Sequence, residues 1–361
     1  MALPKKCWKS LCDCYACADM PNVALPRLAP ARAAAPAGVR TFLRDVPVLL
    51  LVLGGMAGLA GLAAGDPFTL NMLSTTFLFA GLATAWNVIG GIGGQFSLGH
   101  SVFFAVGAYT TANLYLRLGV PPWIGVLPGA ALAAGTAVLV SWPVFRLRGP
   151  FFAIATMALT EVALALANYA EWATGGTRGM SIPFRLGLSN MIFRDRMSYA
   201  LLMGGFAALC LLVALAVTRS RLGYQLKAVR DNEGAAQASG INPLRTKLAG
   251  MAISAALTGV GGGLFLMSTR VADPATLLSL FDFGVKFALI ALIGGLGTVY
   301  GPLLGALLVV PLEGWLRAEF GGLAPGANVI VLSIVLILAS LFLKRGIVGA
   351  LQAGYDRWRR A

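Results

Sequence analysis

The feature that most constrains this chain is a succession of apolar runs, each long enough to cross a hydrocarbon layer, punctuated by Gly and Pro. A spanning helix needs roughly 20 apolar residues, and in lipid the backbone must satisfy its own polar groups, so only helices or a closed barrel qualify. A barrel would alternate apolar and polar residues over about ten-residue strands. No such alternation is found. The expected fold class is all-α, a polytopic transmembrane helical bundle. With 58% hydrophobic residues, 12% charged residues and a mean hydropathy of +0.80 over 361 positions, the chain is too apolar for a soluble domain of this length.

The runs fall at 46–64, 68–89, a third entered through Gln95 and Ser97 and ending near Leu118, then 122–144, 150–169, 197–218, 248–268, 283–299, 302–316 and 329–343. Either member of the pair hinged at Gly301 and Pro302, or the third run, can be re-entrant, which gives roughly eight to ten spans. Around this transmembrane domain, 46–345, lie a tail 1–45 and a basic tail 346–361. The first tail has no apolar core and a Pro/Ala-rich stretch, and it reads as disordered. Its Cys7, Cys12, Cys14 and Cys17 match no usual zinc spacing and have no His nearby, so no metal site is expected.

The net charge of +14 does not point to nucleic acid, because the cations sit in the connections and tails of apolar runs. Lys5, Lys6, Lys9, Arg27, Arg32, Arg40 and Arg44 place the N-terminus in the cytoplasm, and Lys344, Arg345, Arg357, Arg359 and Arg360 do the same for the C-terminus. Both ends on one side require an even number of crossings. Arg146 and Arg148 fall where that count predicts cytoplasm. The loop 171–196 runs against the rule: it is expected outside yet carries Arg178, Arg185, Arg194 and Arg196, partly offset by Glu171 and Asp195.

Between two runs lies the longest strongly polar segment, 219–247, RSRLGYQLKAVRDNEGAAQASGINPLRTK. Leu222, Leu226 and Val229 recur at helical spacing and put one apolar stripe on a basic segment. Asp231 or Asn232 can cap a second short helix with Glu233 in its first turn. Gly240 should end that helix in the left-handed conformation, leaving Ile241 to pack back, and Pro243 prevents continuation. The segment is expected to form a compact elbow against the membrane surface. A docking element for a cytoplasmic partner and a plain topology anchor both account for this pattern.

Other motifs lie within the runs. GGIGGQFSLGHSVFFAVGAY, 90–109, gathers Gly, Gln95, Ser97 and the single His of the chain, His100, in a membrane-embedded stretch. It reads either as a broken helix near a pathway or as close glycine packing with His100 satisfied by a neighbouring carbonyl. Glu161, at the middle of the fifth run, costs about 3 kcal/mol in lipid and is expected to face the interior, bonded to Thr156 or Thr160 or paired with Lys286. TGGTRG, 174–179, reads as a tight external turn. GGLGTVYG, 294–301, lacks the Gly-Lys-Ser/Thr of a phosphate loop and reads as a close-packing bend.

Several of these motifs resemble those of one family. EGAAQASG looks like a loose form of the Glu-Ala-Ala-(three residues)-Gly loop with which permease subunits of ABC importers engage their ATPases, and the longer string SRLGYQLKAVRDNEGAAQASGINPLRTK resembles that loop in branched-chain amino acid permeases. GQFSLGH, RLRGPFFAIATMALTEV and GGLGTVYGP are similar to other elements of the same family, in the expected order over about residues 70–350. Many of its members carry an acidic residue where this chain has Arg178.

The resemblance implies the ABC importer permease fold in a bacterial inner membrane. It implies two ABC ATPase subunits, a second homologous permease, a periplasmic substrate-binding protein and a lipid environment, with no cofactor in this chain and ATP-Mg held by the partners. Gln95, Ser97, His100 and Glu161 are then candidates for the translocation path, and Arg221, Gly223, Arg230, Glu233, Ala236 and Gly240 for ATPase coupling. Branched-chain amino acids are the expected cargo, with urea or short amides as alternatives. From other classes, an ATP-independent secondary transporter would want paired acidic residues in several spans. An intramembrane enzyme would want a nucleophile with a base or metal.

Overall fold

A computed structural model describes residues 46–63, 65–147, 149–320, 333–334 and 346–350, all within one compact unit, Pro36–Ala361. The expected tail 1–45, the last expected crossing at 329–343 and most of the basic tail lie outside the described residues.

The apolar runs form helices largely where hydropathy and breakers put them; the exceptions are the run expected at 283–299, which begins at Leu280 and ends at Gly294 where the glycine-rich bend takes over, and the run expected from 248, whose helix starts at Pro243. Helix α1 is Val46–Leu62, and α2, Pro67–Asn87, continues through a π-helical turn, Val88–Ile92. After an irregular stretch come α3 (His100–Leu118), α4 (Pro122–Val144) and α5 (Pro150–Tyr169). A short α6 (Glu171–Thr174) and β1 (Met180–Ser181) lie in the loop before α7 (Arg196–Arg219). The polar segment holds α8 (Arg221–Asp231) and α9 (Glu233–Ala238), and α10 runs over Pro243–Thr269. Beyond it lie β2 (Val271–Ala272), α11 (Pro274–Leu277), a second π-helical turn (Leu280–Val285), α12 (Lys286–Gly294) and α13 (Gly301–Phe320).

Among the described residues, 6 helical stretches are long and apolar enough to cross a membrane. Helices α3 and α13, of 19 and 20 residues, pack among them. The chain is a multi-pass membrane protein.

Sequence chemistry sets the helix ends. Asp66 caps α2 by accepting from the Phe68 and Thr69 amides at 3.0 and 3.3 Å. The Thr69 hydroxyl and then the Phe68 amide hold the Asp66 carboxyl below its usual range. Pro stands in the first turn of α2, α4, α5 and α10, where its missing N–H goes unnoticed. The loop before α7 is strapped to the end of α10 by the antiparallel pairing of β1 with β2, Met180 opposite Ala272. The 174–179 turn takes left-handed backbone at Gly175, Gly176 and Gly179 (φ 77°, 60° and 67°), as its composition predicts.

In a membrane, apolar side chains gain little by leaving lipid for protein, so helices associate through close contact of small residues. Such a seam runs between α3, α4 and α10. A side chain at Gly107 would run into the Gly259 carbonyl, one at Gly262 into the Phe104 carbonyl, and one at Gly259 into Ala133. Helices α12 and α13 meet the same way, through Gly294, Gly301 and Gly305. Phe104 and Phe283 stack at 4.5 Å between ring centres beside that seam.

The seam predicts an asymmetry between two alanine substitutions. Gly107→Ala should destabilise the protein by about 1–3 kcal/mol through overpacking. Gly135→Ala, where an added methyl meets nothing within 4 Å, should be neutral or slightly stabilising. Thermal unfolding of the detergent-solubilised variants reads the difference, and equal midpoints would refute the account of the seam.

Candidate functional site

Helices α8 and α9 form the elbow. Ser220 caps α8, accepting from the Gly223 amide at 3.3 Å, and a side chain at Gly223 would collide with Val217 and Thr218. Gly223 therefore permits the sharp turn out of α7. Leu226 and Val229 are fully buried and Leu222 is half-buried. Of the two candidate caps it is Asn232 that accepts, from the Ala235 amide at 3.0 Å. Gly240 is left-handed (φ 84°), and the Ile241 amide donates to the Ala236 carbonyl at 3.0 Å, a Schellman-type ending. Asn242 then caps α10 through the Arg245 amide at 3.1 Å.

The elbow is tied down at two points. Glu233 pairs with Lys247 of α10 at 3.0 Å, and the Lys247 side chain is 6% exposed. Arg230 bonds Asp231 through Nε at 3.0 Å and donates from Nη1 to the Gly91 carbonyl at 3.2 Å. Of the residues singled out here from sequence, Arg221 and Gly240 are exposed, whereas Gly223 and Ala236 are buried and shape the elbow from within. Glu233 and Arg230 join it to neighbouring elements. The outward face of α9 carries Gly234, Ala235, Gln237 and Ala238.

Gly91 belongs to the break in α2. The π-helical turn Val88–Ile92 gives way to an irregular stretch that re-enters helix at His100. Its backbone is satisfied by side chains from several elements. Trp86 Nε1 donates to the Ser97 carbonyl at 2.6 Å, and the Leu98 amide donates to Thr156 Oγ1 of α5 at 3.0 Å. Asn87 bridges to the bend between α12 and α13, donating to the Thr298 carbonyl at 2.8 Å and accepting from the Gly297 amide at 3.0 Å. Of the two readings of 90–109, the broken helix is present, and close glycine packing accompanies it at Gly107.

His100 is fully buried, and both ring nitrogens are engaged. Nε2 lies 2.9 Å from Ser254 Oγ and Nδ1 lies 3.1 Å from Ser97 Oγ. The Ser254 hydroxyl donates to the Ala85 carbonyl at 2.7 Å, so it accepts from His100 Nε2–H, and Nδ1 accepts from Ser97. The partners are two serines, not the expected carbonyl. Ser97 is buried with His100, while Gln95 is half-buried. The imidazole thus joins α3 to α10 and to the break itself, and the Ser254 hydroxyl carries the connection on to α2.

Glu161 is not in the interior. The buried face of α5 carries Phe152, Thr156, Thr160 and Ala167, and Glu161, one residue past Thr160, turns to the exposed side. Thr160 bonds the Thr156 carbonyl instead, at 3.2 Å. Lys286 pairs with Glu313 of α13 at 2.9 Å, with its ammonium 4.8 Å from the Phe79 ring centre. The expectation failed because a lipid penalty demands cover for a carboxylate without saying that the same chain supplies it.

Asn87, Ser254 and Lys247 were not singled out from sequence. Ser254 is a small polar residue inside an apolar helix, a signal shared with many spanning helices. Asn87 and Lys247 stand at helix ends, where polar residues are ordinary.

The family model described as branched-chain amino acid transport system / permease component matches residues 68–340. The chain belongs to this family. The LivM high-affinity branched-chain amino acid transport system permease protein of Escherichia coli is 30% identical over 286 residues, 71% of this chain and 66% of LivM. This chain thus spans just under two thirds of that relative's length. The fructose import permease protein FrcC of Rhizobium meliloti is 24% identical over 307 residues, 81% of this chain and 83% of FrcC. The nucleoside ABC transporter permease protein NupB of Lactococcus lactis is 30% identical over 139 residues, 37% of this chain and 36% of NupB. No solved structure matches the chain. The matched region contains the break, His100 and the elbow.

The buried serine pair makes a stability prediction. Ser254→Ala leaves the His100 Nε2–H without an acceptor and should cost about 1–3 kcal/mol. Ser254→Thr keeps a hydroxyl and should retain more of the stability. Thermal midpoints in detergent test this, and an unshifted Ser254→Ala protein would show that the imidazole is satisfied otherwise.

Proposed function

We propose that this chain is a permease subunit of an ATP-driven importer of branched-chain amino acids in a bacterial inner membrane, with both termini cytoplasmic. It works with two ABC ATPase subunits that supply the ATP-Mg chemistry, a second homologous permease and a periplasmic binding protein. The single observation that carries this reading is the bond from Arg230, on the elbow, to the carbonyl of Gly91 in the broken helix. It gives a polar surface element a direct grip on irregular backbone inside the bundle.

On this reading an ATPase seats the small-residue face of α9. Its displacement reaches α10 through the Glu233–Lys247 pair and the break in α2 through Arg230. The Glu233–Lys247 pair is stiff, because loss of one partner would strand the buried Lys247 charge. Gln95, at the edge of the break, and Ser97 and His100, beneath it, form the wall that moves. Glu161 faces outward, so its proposed role shifts from the path to the surface of α5. A carboxylate there is costly in lipid, and the second permease is proposed to cover it. Branched-chain cargo is favoured because the family description and LivM both name it. FrcC and NupB mark sugars and nucleosides as the competing cargoes.

The test is ATP-driven uptake of L-leucine by the full complex in proteoliposomes. Arg230→Gln should lower uptake about tenfold, the equivalent of ~1.4 kcal/mol of lost coupling, while ATP hydrolysis continues. Gly240→Val, which forces a β-branched residue into left-handed backbone, should act in the same direction. Normal uptake by both variants at normal protein level would remove the elbow from the mechanism. Absence of uptake by the wild-type complex, with another solute transported, would reassign the cargo.

A further inference from the structure

A cavity of about 510 Å³ opens at the opposite end of the bundle from the elbow, between α2, α7, the end of α10 and the strapped loop. Arg194, Arg196 and Arg270 all line it, and no carboxylate does. Asp195, between the first two in sequence, is exposed and makes no ion pair with them among the described residues. Like charges gathered around a concavity repel one another and lower the energy of an anion placed among them.

Ordinary structural reasons do not account for the three together. Arg270 caps the carboxyl end of α10, where the helix dipole favours a cation, but Arg196 stands in the first turn of α7, where the dipole disfavours one. Arg270 also holds left-handed backbone (φ 62°), a conformation more natural to glycine. Its guanidinium lies 4.9 Å from the Phe184 ring centre, and its carbonyl accepts the Ile182 amide at 2.9 Å. Backbone and side chain are thus both fixed, and non-glycine residues in such conformations cluster at binding sites.

Met203, two turns along α7 from Arg196, and Phe265, more than a turn along α10 from Arg270, line the same cavity, so apolar side chains and hydroxyls share it with the cations. Pockets of 300–1,000 Å³ with apolar walls and a few placed polar groups are the size and kind that take small molecules. A flat acidic protein surface would not fill a concavity of this volume.

We propose that this cavity is a receiving site for a small solute with a carboxylate and an apolar tail, its carboxylate held at Arg270 with Arg194 and Arg196, its tail on Met203 and Phe265. In transport terms this rests on the amino acid permease reading above. It gives the cationic loop that breaks the charge rule a task.

The experiment has two arms. In the first, the purified protein is heated with sodium 4-methylpentanoate or with 4-methylpentanamide at equal ionic strength. The carboxylate should raise the melting midpoint more than the amide, and Arg270→Gln should abolish the difference. Equal effects of the two compounds on the wild type overturn the proposal, whatever the protein transports. In the second, L-leucine uptake by the full complex is measured against binding-protein concentration. Arg270→Gln should reduce maximal uptake about tenfold, with Arg270→Lys between it and wild type, and leave unchanged the binding-protein concentration giving half-maximal ATPase stimulation. A rise in that concentration with uptake restored at saturation would mean that the arginines dock an acidic protein surface, and it overturns the proposal. Arg270→Gly guards against misfolding: it removes the strained cap, so it should match or exceed wild-type stability while losing uptake. Stable Arg270→Gly protein with normal uptake refutes the site. Failure of the wild-type complex to move leucine, with the first arm intact, counts against the cargo and not the carboxylate site.

Discussion

Backbone that leaves a helix inside a membrane has to find its hydrogen bonds within the protein, and the rest of this structure depends on how that requirement is met at residues 88–99. Trp86, Asn87, Thr156 and Arg230 each supply a bond to the break or from it to its neighbours. Those side chains come from α2 itself, α5 and the elbow, and Asn87 ties in the bend between α12 and α13. Displacing any one of these elements disturbs the hydrogen bonding of the break. In water the same contacts would be replaceable; in lipid they have no substitute.

The fold was legible because hydropathy, Pro and Gly agree along the chain. The expected limits 122–144 and 150–169 coincide with α4 and α5, since Pro opens each helix and a change of composition closes it. The elbow was legible to within a residue or two: the apolar stripe, a cap at Asp231 or Asn232 and the Gly240 stop are local chemistry, which sequence carries directly, whereas the helix that restarts at Pro243 under the Asn242 cap was expected only from 248, because Pro243 reads as a stop. Glu161 was misplaced because the cost of a charge in lipid says that a carboxylate needs cover, not that the interior of its own chain supplies it. The roles of Lys247, Asn87 and Ser254 were invisible because their partners lie 14, 211 and 154 or 169 residues away in sequence. Long-range pairing of single polar residues leaves no periodic trace.

The distribution of charge follows the same division. At the elbow end two cations are matched, Lys247 with Glu233 and Arg230 with Asp231. At the far end, Lys286 and Arg317 share Glu313, while the cavity beside α7 gathers arginines without acids. Matched charges fix geometry, and unmatched ones leave a field to be filled.

The glycine seam between α3 and α10 has a mechanical consequence. Long side chains between helices act as a compliant layer, able to change rotamer and absorb a shift of an ångström or so. Where Gly107 meets Gly259 and Gly262 meets Phe104 backbone to backbone, that layer is missing. A push on the foot of α10 is therefore passed to α3 with little slack, and the two helices behave as one stiff rod.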